Sequence, residues 1–241
     1  MSLKHRLLTL AVGRPVDPGA PGRPAPVPSV DVSWGELLAY LWAKGGAARL
    51  RGLWKGWRLA ACGGRLFVGP RTRILFPRRL AVGRNCFLGG DSYINALSAN
   101  GIRLGDDVRV RERAWIQATS SLTHPGVGLV IGSGTYIGPG CLLGAGGGIT
   151  IGARVTFGAG VQLLAEDHQF RDAATLIQDQ GVTRAGITVE DDVWVGNQVI
   201  VLDGVHTGRG AVIGAGAVVT KDVPSMAIAV GNPARVSGHR A

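Results

Sequence analysis

A chain of 241 residues with 46% apolar and 17% charged side chains is globular, and its 39 glycines, which follow no G-x-y period, exclude collagen and point to a repeat fold cornered by glycine. The net charge of +10 is uneven: residues 1–80 hold 14 Lys/Arg against 3 Asp/Glu, whereas residues 81–241 hold 12 against 13. Any polyanionic surface that the protein meets therefore belongs to its N-terminal third.

Residues 1–30 carry Pro15, Pro18, Pro21, Pro24, Pro26 and Pro28 among glycines, which precludes a helix and predicts an extended or disordered tail. Residues 31–61 read as a basic amphipathic helical segment. It opens on the capping box Ser33-Trp34-Gly35-Glu36 and carries Leu37, Leu38, Leu41 and Trp42, then a soft break at Gly45-Gly46, then Leu50, Leu53, Trp54 and Trp57. Lys44, Arg49, Arg51, Lys55 and Arg58 lie between them. Two roles follow, and they are compatible: a cap over the open end of the fold behind it, or peripheral contact with an anionic membrane through residues 33–60. No nucleic-acid partner is expected.

From about Cys62 to residue 236 the chain keeps a six-residue beat. Aliphatic residues fall in triplets: Val82, Leu88, Ile94; Leu104, Val110, Ile116; Ile131, Ile137, Leu143; Ile151, Phe157, Leu163; Val189, Val195, Val201; Thr207, Ile213, Val219. Only Thr207 is not apolar. The next position is Gly at eleven of the eighteen, where it can supply the positive φ of a tight corner. The fourth position after each aliphatic residue is small or β-branched, as in Cys86, Ala114, Thr135 and Ala217, with Asp167 the exception in this inward row. A hexad is one short strand and one corner, so three close a triangular coil and stacked coils form an all-β parallel helix, here six coils from the six triplets. Extra residues enter only between triplets, so every insertion leaves from the same corner. The longest, residues 164–188, carries Glu166-Asp167-His168-Gln169-Phe170. Residues 237–241 remain as a short tail.

The three cysteines form no C-x-x-C, and Cys86 and Cys141 fall at small inward positions. The apolar run Leu7 to Val12 is too short for an export signal, so a reduced, cytoplasmic protein is the expectation, at the inner face of the membrane if the helical segment binds there.

Ile187-Thr188-Val189-Glu190-Asp191-Asp192-Val193-Trp194-Val195-Gly196, Ile213-Gly214-Ala215-Gly216, Val219-Thr220-Lys221-Asp222-Val223-Pro224 and Gly231-Asn232-Pro233-Ala234-Arg235 resemble the hexapeptide-repeat acyltransferases. Within that family the chain looks most like the sugar enzymes, the galactoside, maltose and surface-polysaccharide O-acetyltransferases, and Asp167-His168-Gln169-Phe170 with Gln178-Asp179-Gln180-Gly181 is similar to the loop of the polysaccharide enzymes. The resemblance implies a left-handed parallel β-helix, a homotrimer, and acetyl-CoA as the acyl donor to a sugar hydroxyl, on a polysaccharide or a lipid-linked saccharide. It also implies that His168 is the general base, taking the proton of the hydroxyl as its oxygen attacks the thioester with no acyl-enzyme. Asp167, Glu166 or Asp172 would orient the imidazole. Trp194 and Glu166 would lie beside the substrate. The coenzyme contacts carry over to Asn197, Ala215, Thr220, Lys221 and Arg235, the last two meeting phosphates as cations.

One departure bears on the acceptor. The sugar enzymes place an Asn one coil before the histidine, where this chain has Leu143-Gly144-Ala145-Gly146-Gly147-Gly148, and Asn95 is several coils away. An N-acetyltransferase acting on an amino sugar or another small amine is the alternative enzyme, and a structural or binding β-solenoid the alternative outside enzymes. No closely spaced histidine pair suits zinc, so no metal is expected.

Overall fold

The computed structural model describes residues 33–119 and 121–240. The Pro-rich segment over residues 1–30 lies outside the described residues. The chain divides into two compact units, one ending at Ala48 and one running from Arg49. In the first, helix α1 (Trp34–Leu41) begins at the predicted capping box: Glu36 N–H donates to Ser33 Oγ at 3.2 Å, and Ser33 N–H to Glu36 Oε2 at 2.9 Å. The soft break at Gly45-Gly46 is a π-helical turn, Trp42–Gly46, that runs straight into helix α2 (Ala47–Gly56).

The second unit is a three-sided parallel β-helix. Among the described residues its faces are sheets of seven, nine and seven strands, and the chain visits first, second and third face in rotation through seven coils before its last two strands both join the second face. All eighteen beat positions are buried, Thr207 among them, so the predicted inward row is the core. The described residues form seven coils rather than six. The added coil comes first, with strands Ala61–Cys62, Phe67–Val68 and Arg73–Leu75. Seven coils at the usual strand spacing rise about 29 Å.

The corners work differently from the sequence expectation. Glycine after each inward residue does not supply the positive φ; that conformation falls two residues later, at Asn85, Asp91, Asp107, Arg113, Arg154, Asp192 and Gln198 and at glycines such as Gly134 and Gly216. The first glycine is needed for close approach. A Cβ at Gly132 would lie 2.5 Å from the Gly152 carbonyl carbon of the next coil, and one at Gly196 2.6 Å from Ala215 N. Corner N–H groups without a ladder partner are taken by side chains of the coil above: Asp106 Oδ1 accepts from Arg84 N at 2.7 Å, and Asp191 Oδ1 from Ala153 N at 2.8 Å.

Both ends of the second face are covered. Along α2, Arg51 Nε donates to Val68 O at 2.7 Å, and Gly52 lies against the Leu66 carbonyl with no room for a side chain. At the far end strand Ala227–Val230 adds in parallel, and Arg235–His239 turns back antiparallel on it, so ordered strand continues past residue 236. Arg240 then anchors to Asp192 Oδ2 at 3.1 Å and Gly210 O at 2.9 Å.

Candidate active site

All long excursions leave the corner between the third and first faces, as the spacing predicts. The His168 excursion follows strand Gln162–Leu164; Ala165 is the last inward side chain, and Asp167 is exposed. This corrects the expectation that Asp167 interrupts the inward row: the chain has already left the coil there. Asp167–His168 pairs antiparallel with Val182–Thr183, and Gln169 N donates to Gly181 O at 3.0 Å. At the base of the hairpin Arg184 Nε meets Glu166 Oε2 at 2.6 Å. Its exit is held by Asp203, which accepts from Ala185 N at 2.8 Å and Gly186 N at 2.7 Å. Near the tip the Gln180 amide bonds to Asp172 O and Thr175 O at 2.8 and 2.7 Å. His168 is therefore an exposed imidazole on a pinned hairpin.

The three carboxylates considered for orienting it are otherwise engaged or turned away. Glu166 pairs with Arg184. Asp172 accepts from Thr175 Oγ1 at 2.7 Å and Ala174 N at 2.9 Å, which hold its carboxyl below the usual range. Asp167 adjoins His168 on a strand, where successive side chains leave on opposite sides. Among the described residues none hydrogen-bonds the His168 ring.

The remaining candidates are spread over two corners, the second face and the last strand. Thr220 and Lys221 sit at the same corner as the His168 excursion, two coils further on, and Lys221 is exposed with no ion pair among the described residues. Trp194 stands exposed on the second face, between Thr156 and Val212. Asn197 and Ala215 lie on successive coils at the next corner, with Gly216 N bonded to Asn197 O at 2.8 Å. The Asn197 side-chain oxygen is spent on the scaffold, accepting from Ala159 N at 2.8 Å. Arg235 lies in the last strand, next to Ala234, whose N–H bonds to Val218 O at 2.8 Å. One chain thus keeps His168 and Trp194 on different sides of the triangle. Asn95 is buried and committed to Thr119 O and Leu97 N, so it does not replace the missing asparagine.

Against the root of the hairpin a cleft of about 300 Å³ opens on the third face, lined by Trp115, Gln117, Gly144, Leu164, Glu166 and Arg184 among others. Trp115 stacks on Tyr93 with ring centroids 4.3 Å apart, and its indole N–H donates to Gln117 Oε1 at 2.9 Å. The motif reading passed over Trp115, Gln117, Arg184 and Asp203. Tyr93 and Trp115 precede inward residues and Gln117 follows one, so the beat already marks them as outward. Burial pushes the thiols of Cys86 and Cys141 up to about 11, so neither is a ready nucleophile. No group of three or more His, Cys, Asp and Glu among the described residues is arranged to hold a metal ion.

The profile for the hexapeptide repeat of succinyl-transferase matches residues 79–111 and 186–221. Over 49 residues the chain is 61% identical to a putative acetyltransferase of Schizosaccharomyces pombe, covering 20% of this chain and 24% of that protein. Over 74 residues it is 42% identical to a probable acetyltransferase of Mycobacterium tuberculosis, covering 31% and 25%. The chain thus matches about a quarter of the length of these curated relatives. AntD, an N-acyltransferase from Bacillus cereus solved with dTDP and 3-hydroxybutyryl-CoA, shares the fold at a TM-score of 0.53 and 18% identity, over 79% of this chain and 88% of that one.

Proposed function

Taking as premise a left-handed parallel β-helix of hexapeptide repeats, of the kind found in acetyltransferases, we propose that this protein transfers acetyl from acetyl-CoA to a hydroxyl of a sugar, in a surface polysaccharide or its lipid-linked precursor. The observation that carries the reading is His168, an exposed imidazole on the pinned hairpin whose root lines the cleft, at the longest break in the ladder. His168 accepts the proton of the acceptor hydroxyl while that oxygen attacks the thioester carbonyl, and returns it to the departing thiolate. A backbone N–H of a neighbouring coil meets the oxyanion. Acetyl-CoA is the implied donor, and the far coils fit it: Gly216 has open space where a side chain would stand, and Lys221, which has no ion pair among the described residues, offers a cation to a phosphate.

Because His168 and Trp194 occupy different sides of the triangle, the same reading calls for a homotrimer in which one copy's hairpin meets the next copy's second face. Phe170, Leu176 and Ile177 on the excursion and Trp194 on that face are exposed apolar surface suited to such a contact. Peripheral membrane contact is supported by the N-terminal end of the β-helix. Residues 49–80 contain nine Lys/Arg and no Asp/Glu, and Leu50, Leu53, Trp54 and Trp57 are exposed there. In α1, Trp34 and Leu38 are exposed as well. No described helix is long and apolar enough to cross a membrane.

The deciding experiment measures acetyl-CoA-dependent thermal stabilisation together with thiol release against a panel of sugars and amino sugars. Stabilisation with release driven by a hydroxyl acceptor is the expected result. Release only with amines makes the enzyme an N-acetyltransferase, and the absence of any shift at millimolar acetyl-CoA refutes the enzyme in favour of a binding solenoid.

A further inference from the structure

We infer that the third-face cleft is the acceptor seat, and that it takes a pyranose ring lying flat on Trp115 with its hydroxyls read by Gln117, Glu166 and Arg184. This identifies the acceptor's binding site and so rests on the transfer reading above. Three observations converge. The first is the aromatic platform: Trp115 is 47% exposed yet held rigid, stacked on Tyr93 at 4.3 Å and tied to Gln117 at 2.9 Å. The exposed part of this indole, bordered by hydrogen-bonding groups and by Leu142, its ladder partner on the next coil, suits the C–H face of a sugar, whose two sides differ in polarity in the same way.

The second observation is the polar wall. With its Oε1 accepting from the indole, the Gln117 amide keeps its NH2 group as donor. Glu166 and Arg184 bond through Oε2 and Nε, leaving the second carboxylate oxygen and the terminal guanidinium nitrogens for vicinal hydroxyls. These are paired donors and acceptors at the root of the hairpin that carries His168 two residues beyond Glu166. The coenzyme candidates Ala215, Thr220, Lys221 and Arg235 all lie on later coils, so an acceptor in this cleft approaches His168 from the opposite end.

The third observation is Gly144. At the glycine position of the hexad, the first and second faces carry glycine at ten of twelve turns, Arg111 and Glu190 excepted, and these glycines stand in close approach to the next coil, as Gly132 and Gly196 illustrate with Cβ contacts of 2.5 and 2.6 Å. The third face instead has Asn95, Gln117, Gly144, Leu164, Leu202 and Thr220 there. Gly144 is not crowded, since its nearest neighbours to a Cβ would be 3.6 and 3.9 Å away, and its φ is not positive. Neither backbone conformation nor coil stacking requires a glycine. It lies in register between Gln117 and Leu164, and what its missing side chain leaves is the open space of the cleft.

The test uses the full chain and saturation-transfer NMR with millimolar methyl α-D-glucoside, methyl β-D-galactoside and methyl β-D-N-acetylglucosaminide. At least one should receive saturation at its ring C–H protons. The signal should be lost in Trp115→Ala and Gly144→Leu, and survive in Trp115→Phe, which keeps a ring. In acetyl transfer to that sugar, Gly144→Leu should raise KM for the acceptor at least tenfold while leaving acetyl-CoA stabilisation unchanged. Equal sugar signals in the wild type, Trp115→Ala and Gly144→Leu would overturn the assignment, as would no signal from any of the three sugars. If sugar binds as described while acetyl-CoA does not stabilise the protein, the seat stands and the transfer reading falls. If acetyl-CoA stabilises but no sugar is held here, the reverse holds.

Discussion

Gly132→Ala and Gly144→Ala are the same substitution at the same position of the hexad, and the structure gives them opposite signs. At Gly132 the new methyl would sit 2.5 Å from the Gly152 carbonyl carbon, against backbone rather than a flexible side chain. Reaching ordinary contact requires the two coils to part by nearly 1 Å, across a ladder whose adjacent bond, Gly132 N to Ile151 O, is 2.8 Å long. Overpacking of this kind costs about 1–3 kcal/mol, and a weakened ladder bond adds about 1 kcal/mol. At Gly144 the methyl meets atoms at 3.6 and 3.9 Å, an ordinary contact. There the change relieves the entropic penalty of glycine in a strand, about 0.5–1 kcal/mol. At roughly 2–4 °C per kcal/mol for a domain of this size, Gly132→Ala should lower the melting temperature by about 4–16 °C and Gly144→Ala raise it by about 1–4 °C. Thermal melting by circular dichroism, with urea midpoints as a second measure, compares the pair directly. Shifts of the same sign in both variants would refute the account of hexad glycines as contact residues.

His168→Ala should reduce acetyl transfer by about 10²–10⁴-fold while leaving acetyl-CoA stabilisation intact; turnover close to the wild type would move the base elsewhere. Vesicle sedimentation tests the basic end: Lys55→Gln with Arg58→Gln removes about 2 kcal/mol of attraction to anionic lipid, near thirtyfold in partitioning, and neutral vesicles should bind neither form. Unchanged sedimentation would end the membrane reading. The Arg84 backbone N–H and guanidinium hold the Asp106 carboxyl below its usual value. Its stabilising contribution is therefore complete above the unfolded Asp value of about 3.9 and drains as the pH falls through the lowered native value. Melting temperature should fall on acidification below pH ~4, and fall less steeply in Asp106→Asn.

The periodic part of the molecule was legible because a hexad solenoid writes each contact locally: an inward side chain recurs every six residues, and its partners are the same positions one coil away. That rule gave the core row, the three faces and the common corner of the insertions. It missed the first coil, where Cys62 is exposed and Ile74 only partly buried, because an end coil has one neighbour and a looser pattern. It also misassigned Asp167, since counting by six cannot tell where a strand stops obeying the count.

By itself, then, the sequence determined the repeat, the inward row and the corner from which His168 departs, all of which follow from spacing along one chain. Tertiary structure decided what depends on stacking: why Gly132 is glycine, where positive φ falls, and that the Asn197 oxygen and the Asp191 carboxylate latch corners. It also decided that the Glu166 carboxylate is held by Arg184 and that Trp115, Gln117 and Gly144 enclose a cleft. These side chains lie on different coils, and only the closing of the triangle sets their distances.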